Sequence, residues 1–130
     1  MTVFYLASGL ENIDNAKTLR DQLTAAGFIQ SYDWTKHGPA PDRVEEISVL
    51  EINGVRDADV VVVLLPGGRG THTELGAAIA YGKRVVLCAP AKIMEKTRET
   101  CAFYHHPHVQ HVTTPEEVLN ILMEESRSLR

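Results

Sequence analysis

The run Val60-Val61-Val62-Val63-Leu64-Leu65 constrains this chain more than any other stretch. It has no polar alternation, so both faces of its strand must be covered, which is the habit of a central strand in a parallel sheet. The run is also far short of the roughly 20 apolar residues that a membrane helix needs. Parallel neighbours are joined by crossovers, usually helical and right-handed. The rest of the chain should therefore alternate strands with helices.

The pattern along the sequence fits that demand. Residues 2–7 read as a first strand, broken by Ser8-Gly9. Ile13, Ala16, Leu19, Leu23 and Ala26 share one helical face over 13–26, and Gly27 stands where a helix C-cap glycine belongs. A second strand is expected over Phe28–Trp34. The loop 35–42, with Gly38, Pro39 and Pro41, reads as a mobile segment. A second helix is expected over Asp42–Asp57 with Asp42 as its N-cap. After the valine run come a Gly-rich loop, a helix over 72–82 and a buried strand over Arg84–Ala89. A short helix is expected near 92–99, and a last strand over Val109–Val112. Thr114 then caps a final helix with Pro115 at its first position. Five strands alternating with helices predict a single α/β domain over 1–130. It is a doubly wound, flavodoxin-like or Rossmann-like five-stranded parallel sheet of order 2-1-3-4-5, with helices on both faces.

Composition narrows the function. With 13 Lys and Arg against 17 Asp and Glu the net charge is −4, without the basic excess of a nucleic-acid-polymer binder. Hydrophobic residues at 44% and charged residues at 23% argue against disorder. The N-terminus lacks a basic n-region and a cleavage site, so no signal peptide is expected. Two cysteines without CxxC spacing, Cys88 being read as a small core residue, fit a reduced cytoplasmic compartment. No membrane association and no cofactor are expected.

In a doubly wound sheet, ligands bind at the carboxyl ends of the strands near the switch between strands 1 and 3. That rule directs attention to Ser8–Asn12, Asp33–Pro41 and Pro66–Glu74. In the last of these, Gly67, Gly68 and Gly70 let a ligand approach the backbone, the helix start favours an anion, and Arg69 adds a charge-assisted contact. The loop is neither a Walker A nor a GxGxxG motif. Glu74 has two readings. Thr71-x-x-Glu74 fits a capping box, or the carboxylate is held ionised by the helix dipole as a nucleophile. Glu51 falls near the middle of the apolar face formed by Val44, Ile47, Leu50, Val55 and Ala58. Burial there would raise its pKa and suit it to proton donation, the alternative being a rim position paired with an Arg. One raised carboxyl and one ionised carboxylate are the division of labour that breaks glycosidic bonds.

Asp33 and Trp34 end strand 2 at the cleft, and the indole either packs in the core or stacks on a base. Tyr5 lies on the cleft floor or in the core. Asp59, at the opposite end of its strand, and His72, at the helix start facing the cleft rim, complete the candidates. His105, His106, His108 and His111 resemble a metal cluster by composition alone. Without an HExxH or Cys/His framework they read as a solvated or interface segment, and no metal site is expected.

These residues resemble the nucleoside 2-deoxyribosyltransferase-like family. The matching pieces are Tyr5-Leu6-Ala7-Ser8, Glu51-Ile52-Asn53-Gly54-Val55, Ala58-Asp59-Val60-Val61-Val62 and the stretch Glu74 to Lys83 with its ELG-x-A pattern. The resemblance implies that Glu74 attacks C1′ to form a covalent glycosyl-enzyme, that Glu51 assists departure of the base, and that Tyr5 orients the nucleophile. A free nucleobase would accept the 2-deoxyribosyl group, with Ser8, Asp33, Trp34, Gly67, Gly68, Arg69 and Gly70 binding substrate. It also implies a homo-oligomer with shared active sites. Two features differ from the family pattern: Glu51 stands where Asp is common, and Gly67-Gly68 stands where the transferases often carry a further Asp. The same segments are similar to the 2-deoxynucleoside 5-phosphate N-hydrolases, which use the loop for phosphate. Pro66 to Glu74 also resembles the PGGxGTxxE motif of cytokinin-activating phosphoribohydrolases. All three break an N-glycosidic bond, so nucleotide hydrolysis stands as the alternative to transfer. A non-catalytic nucleotide-binding module is the reading of another class.

Overall fold

The computed structural model describes residues 1–128. Five parallel strands form one sheet: β1 (Val3–Ser8), β2 (Ile29–Gln30), β3 (Val60–Leu64), β4 (Arg84–Cys88) and β5 (Val109–Val112), in the order β2-β1-β3-β4-β5. Among the described residues three α-helices connect strands, α1 (Ile13–Ala25), α2 (Val44–Asp57) and α3 (Arg69–Ala80), and a fourth, α4 (Pro115–Ser128), follows β5. The predicted α/β class and strand order are both found. Every residue of β3 is buried, as its unbroken apolar run requires. Phe4 pairs in register with Val60, and Val60 with Arg84, so the three central strands end level at Ser8, Leu64 and Cys88.

Helices α1 and α4 pack together, as do α2 and α3. Leu19 and Leu23 of α1, Leu75 of α3 and Val118 and Leu122 of α4 all enter the core. Gly27 follows α1 with φ +99°, a left-handed conformation that lets the chain turn directly into β2. Thr114 Oγ accepts the Glu117 N–H at 3.3 Å, the capping bond its position predicts. Asp59 is structural: its carboxylate accepts the Val3 N–H at 2.8 Å.

Several boundaries differ from those the sequence predicts. β2 has only two residues, because Asp33 accepts the Thr35 N–H at 3.0 Å and folds Trp34–Lys36 into a 3₁₀ turn. A side-chain bond of this kind competes with the ladder. α2 starts at Val44, behind a 3₁₀ turn over Pro41–Arg43, and Asp42 does not cap it. The predicted helix over 92–99 is instead a 3₁₀ turn at Ala91–Met94, with a second turn at Ala102–His105. The apolar face of α2 is only partly in the core. Val55 and Ala58 are buried and Ile47 and Leu50 partly so, while Val44 is 59% exposed.

Removing the fully buried Leu23 side chain (Leu23→Ala) should cost about 2–5 kcal/mol. Gly27→Ala meets no steric neighbour and should cost only about 1–2 kcal/mol, from the left-handed backbone alone. Urea melts read both, with the midpoint falling and the slope unchanged.

Candidate active site

The carboxyl ends of β1 and β3 open into a cleft of about 610 Å³. The loop after β1 and the loop after β3 are tied to each other. The Gly9 N–H donates to Pro66 O at 3.0 Å, and Ser8 Oγ donates to Leu64 O at 2.7 Å. Asn12 Nδ2 in turn donates to Ser8 Oγ at 3.1 Å. One wall of the cleft is the start of α3, Gly68 to Thr71. The other is the 37–41 loop with Val44 and Ile47 of α2, and Trp34, Glu51 and Glu74 also line it.

Where α3 begins decides what Glu74 is. The helix starts at Arg69, with Gly68 at the cap position and no side-chain cap. Thr71 is therefore inside the helix and buried, and Glu74 lies in the second turn, too far along to serve as the Glu of a capping box. Its carboxyl is instead 7% exposed and turned inward. The sequence misplaces this start because Gly-Arg-Gly carries no capping signal.

Glu51 is half-buried on α2, and Tyr5 is fully buried on β1 beneath both carboxyls. Gly54 makes this arrangement possible: a Cβ there would stand 2.9 Å from the Tyr5 ring and from Tyr32 Cβ. The helix can thus lie close on β1 and carry Glu51, one turn earlier, to Glu74.

The electrostatics follow from that proximity. Burial, then the charge of Glu51, pushes the Glu74 carboxyl up to about 9. Burial also raises Glu51, while its hydrogen-bond contact with Glu74 and the nearby His37 pull it back. Two carboxyls this close share a proton rather than both ionise. The sequence expectation of a raised Glu51 beside an ionised Glu74 thus becomes a coupled pair in which Glu74 holds its proton more strongly. Burial first, and Glu74 second, push the Tyr5 phenol far above its ordinary range, so its O–H stays a donor beside the Glu74 carboxyl. Among the described residues that hydroxyl has no hydrogen-bond partner of regular geometry.

The other expected substrate contacts divide. Gly68, Arg69 and Gly70 stand exposed on the cleft wall, and no carboxylate among the described residues pairs with Arg69. Gly67 stays out of the lining, packed so closely on Thr71 that a Cβ has no room. Trp34 is 4% exposed and its Nε1 donates to Leu6 O at 2.7 Å, so it joins core and cleft at once. Ser8 lines the cleft, but its proton is already given to Leu64 O. Asp33 is outside the lining: it pairs with Arg20 at 3.0 Å and caps the 34–36 turn, a structural task.

Glu11 and His37 line the cleft within the segments the sequence pointed to but were not singled out, and Val44 and Ile47, read as core-facing, line it as well. His37 Nδ1 bonds Gly38 O at 2.7 Å, while its Nε2 is buried without a partner. The glycine and prolines around it marked the loop but not the direction of its side chains. Among the described residues no group of three or more His, Cys, Asp or Glu is placed to hold a metal ion. In the histidine-rich segment, His105 bonds Thr100 Oγ1 and His111 bonds Ala89 O, while His106 and His108 meet edge to face. No helix among the described residues is long and apolar enough to cross a membrane.

No protein-family model and no curated protein sequence matches the chain. Among solved structures it is similar to the CMP N-glycosidase BcmB of Clostridium botulinum. The TM-score is 0.59, over 92% of this chain and 97% of that one, at 19% identity. At that identity the likeness is one of fold.

A carboxyl raised by folding favours the native state at low pH and works against it as pH rises through the folded value. Glu74, at about 9 against an ordinary 4.5, should therefore lower stability progressively between those values. Melting curves should show Glu74→Gln flattening that decline and raising Tm near pH 8 by a few degrees. An unchanged slope would mean that the carboxyl is not raised.

Proposed function

We propose that this chain is an enzyme that hydrolyses the N-glycosidic bond of a nucleoside 5′-monophosphate, releasing free base and sugar phosphate. The observation that carries the reading is the polarity of the cleft. One wall bears a glycine-rich helix start with the unpaired Arg69, suited to a phosphate, and the floor bears the coupled Glu51 and Glu74. The activity of the fold neighbour, a CMP N-glycosidase, supports the same bond and substrate class.

The residues divide the work as follows. A phosphate on Gly68–Gly70 and Arg69 sets C1′ of the sugar over Glu74. The shared proton moves to Glu51, leaving Glu74 as a carboxylate steadied by the Tyr5 O–H. Glu74 attacks C1′ as the C1′–N bond breaks, and the base leaves with the proton of Glu51. Glu51, now a carboxylate, takes a proton from water. The resulting hydroxide attacks C1′, frees Glu74 and completes the sugar phosphate. The Trp34 ring supplies an apolar surface for the base.

Transfer of a 2-deoxyribosyl group to a free nucleobase is the second reading. It shares the first half-reaction and replaces water with a base. The Glu51 and Glu74 segments favour it through their resemblance to the deoxyribosyltransferases. The same resemblance implies a homo-oligomer, and a second copy of the chain set against the exposed Val44 at the cleft edge would close the open side of the site.

Incubation with purine and pyrimidine monophosphates, and separately with a deoxynucleoside plus a free base, tests the choice. The account expects free base and sugar phosphate from at least one monophosphate. A new nucleoside would establish transfer instead, and binding without turnover across the panel would favour the non-catalytic module. Glu74→Ala should lower kcat by about 10³-fold or more. Glu51→Gln should lower it about 10²–10⁴-fold and lose the alkaline limb of the pH profile, because that limb records loss of the proton the pair shares, which Glu51 must deliver to the base. Wild-type rates in Glu74→Ala would remove the mechanism.

A further inference from the structure

We infer that His72, held by Tyr104, is the positioning residue that sets the donor geometry of the glycine-rich helix start and thereby its hold on a phosphate. The inference rests on the nucleotide reading above. His72 stands on α3, one turn after Gly68. Its Nδ1 lies 2.7 Å from Gly68 O, and its Nε2 lies 2.6 Å from the Tyr104 hydroxyl. A carbonyl only accepts, so Nδ1 carries the proton, and Nε2 of the neutral ring accepts the Tyr104 O–H. Tyr104 is 7% exposed, its ring tilted over His72 at a centroid distance of 5.7 Å. Burial pushes its phenol up, which keeps the hydroxyl a donor.

The consequence lies in one peptide plane. Gly68 O accepts twice from His72, from the ring and from the backbone N–H at 3.1 Å. These two bonds hold the carbonyl toward the body of the helix. In a trans peptide the N–H points opposite to the C=O, so the Arg69 N–H is held outward at the helix start. Gly68 itself cannot enforce this. It has no side chain, and a Cβ there would touch nothing within 4 Å, so the flexible glycine takes its peptide orientation from its partners. Tyr104 belongs to the irregular stretch between β4 and β5. That stretch therefore reaches back across 32 residues of sequence to brace the loop.

Steady-state kinetics on a turned-over monophosphate and its parent nucleoside, with inorganic phosphate as inhibitor, test this. His72→Leu should raise both KM for the monophosphate and Ki for phosphate about 10-fold, with kcat within about 3-fold of wild type and KM for the nucleoside unmoved. His72→Asn places an amide N–H where Nδ1 stood and should recover most of the loss, a rescue that a purely structural role would not give. Tyr104→Phe frees the ring tautomer and should fall between them, and it carries the test if His72→Leu does not fold. Unchanged phosphate inhibition in His72→Leu or Tyr104→Phe would overturn the inference while leaving the nucleotide reading standing. So would a His72→Asn variant no better than His72→Leu. A wild-type enzyme indifferent to phosphate, with equal KM for nucleoside and monophosphate, would overturn both.

Discussion

Two carboxyl groups that would repel as ions are held together at the bottom of a cleft, and the rest of the site is arranged around that constraint. Glu74 is brought there by the inward turn of α3, Glu51 by the close approach of α2 to β1. The approach depends on Gly54, where even a methyl group would strike Tyr5 and Tyr32. A protein gains little stability from such a pair, since burial of each charge is costly unless a proton is shared or a partner supplied. Groups held against their electrostatic preference are those whose protonation states can be put to chemical use. That is why the pair, rather than the more numerous exposed carboxylates, carries the functional reading.

The sheet explains why the pair and the glycine-rich wall face one another. β1 and β3 end level, and the chain turns to opposite faces from them, as a doubly wound topology requires at its switch point. The β3–α3 connection delivers Gly68, Arg69 and Glu74 along a single helix, with the exposed cation in the first turn and the buried acid in the second. The proposed nucleoside monophosphate would place its phosphate on the first of these turns and its scissile bond over the second. The wall formed by α2 and the 37–41 loop is apolar and open, so the cleft is defined on three sides by one chain.

Much of this was legible in the sequence, for identifiable reasons. The valine run, Gly27 and the Thr114-Pro115 start each express one strong local rule, and the elements they mark are found. The strand order followed from topology, and the half-buried place of Glu51 from a carboxylate standing among apolar neighbours. Local competition hid the rest. Asp33 looked like a cleft residue because it closed a strand pattern, yet its side chain turns back to cap Thr35 and pair with Arg20. The uncapped start of α3 placed Thr71 and Glu74 in a false capping frame. The apolar face read on α2 looked like core along its whole length because its period is helical, although Val44 at its start is exposed. The brace from Tyr104 to His72 joins distant segments by side chains alone, and no local pattern announces it.

Carboxyl ¹³C NMR on the protein labelled at glutamate, with Glu51 and Glu74 assigned by single Gln substitutions, tests the central claim most directly. Two coupled titration steps are predicted, one of them well above neutrality, with that high step lowered when Glu51 is replaced and lost when Glu74 is replaced. Two independent carboxyls titrating near pH 4.5, the ordinary glutamate value, would contradict it, because no shared proton would then exist to divide between nucleophile and acid.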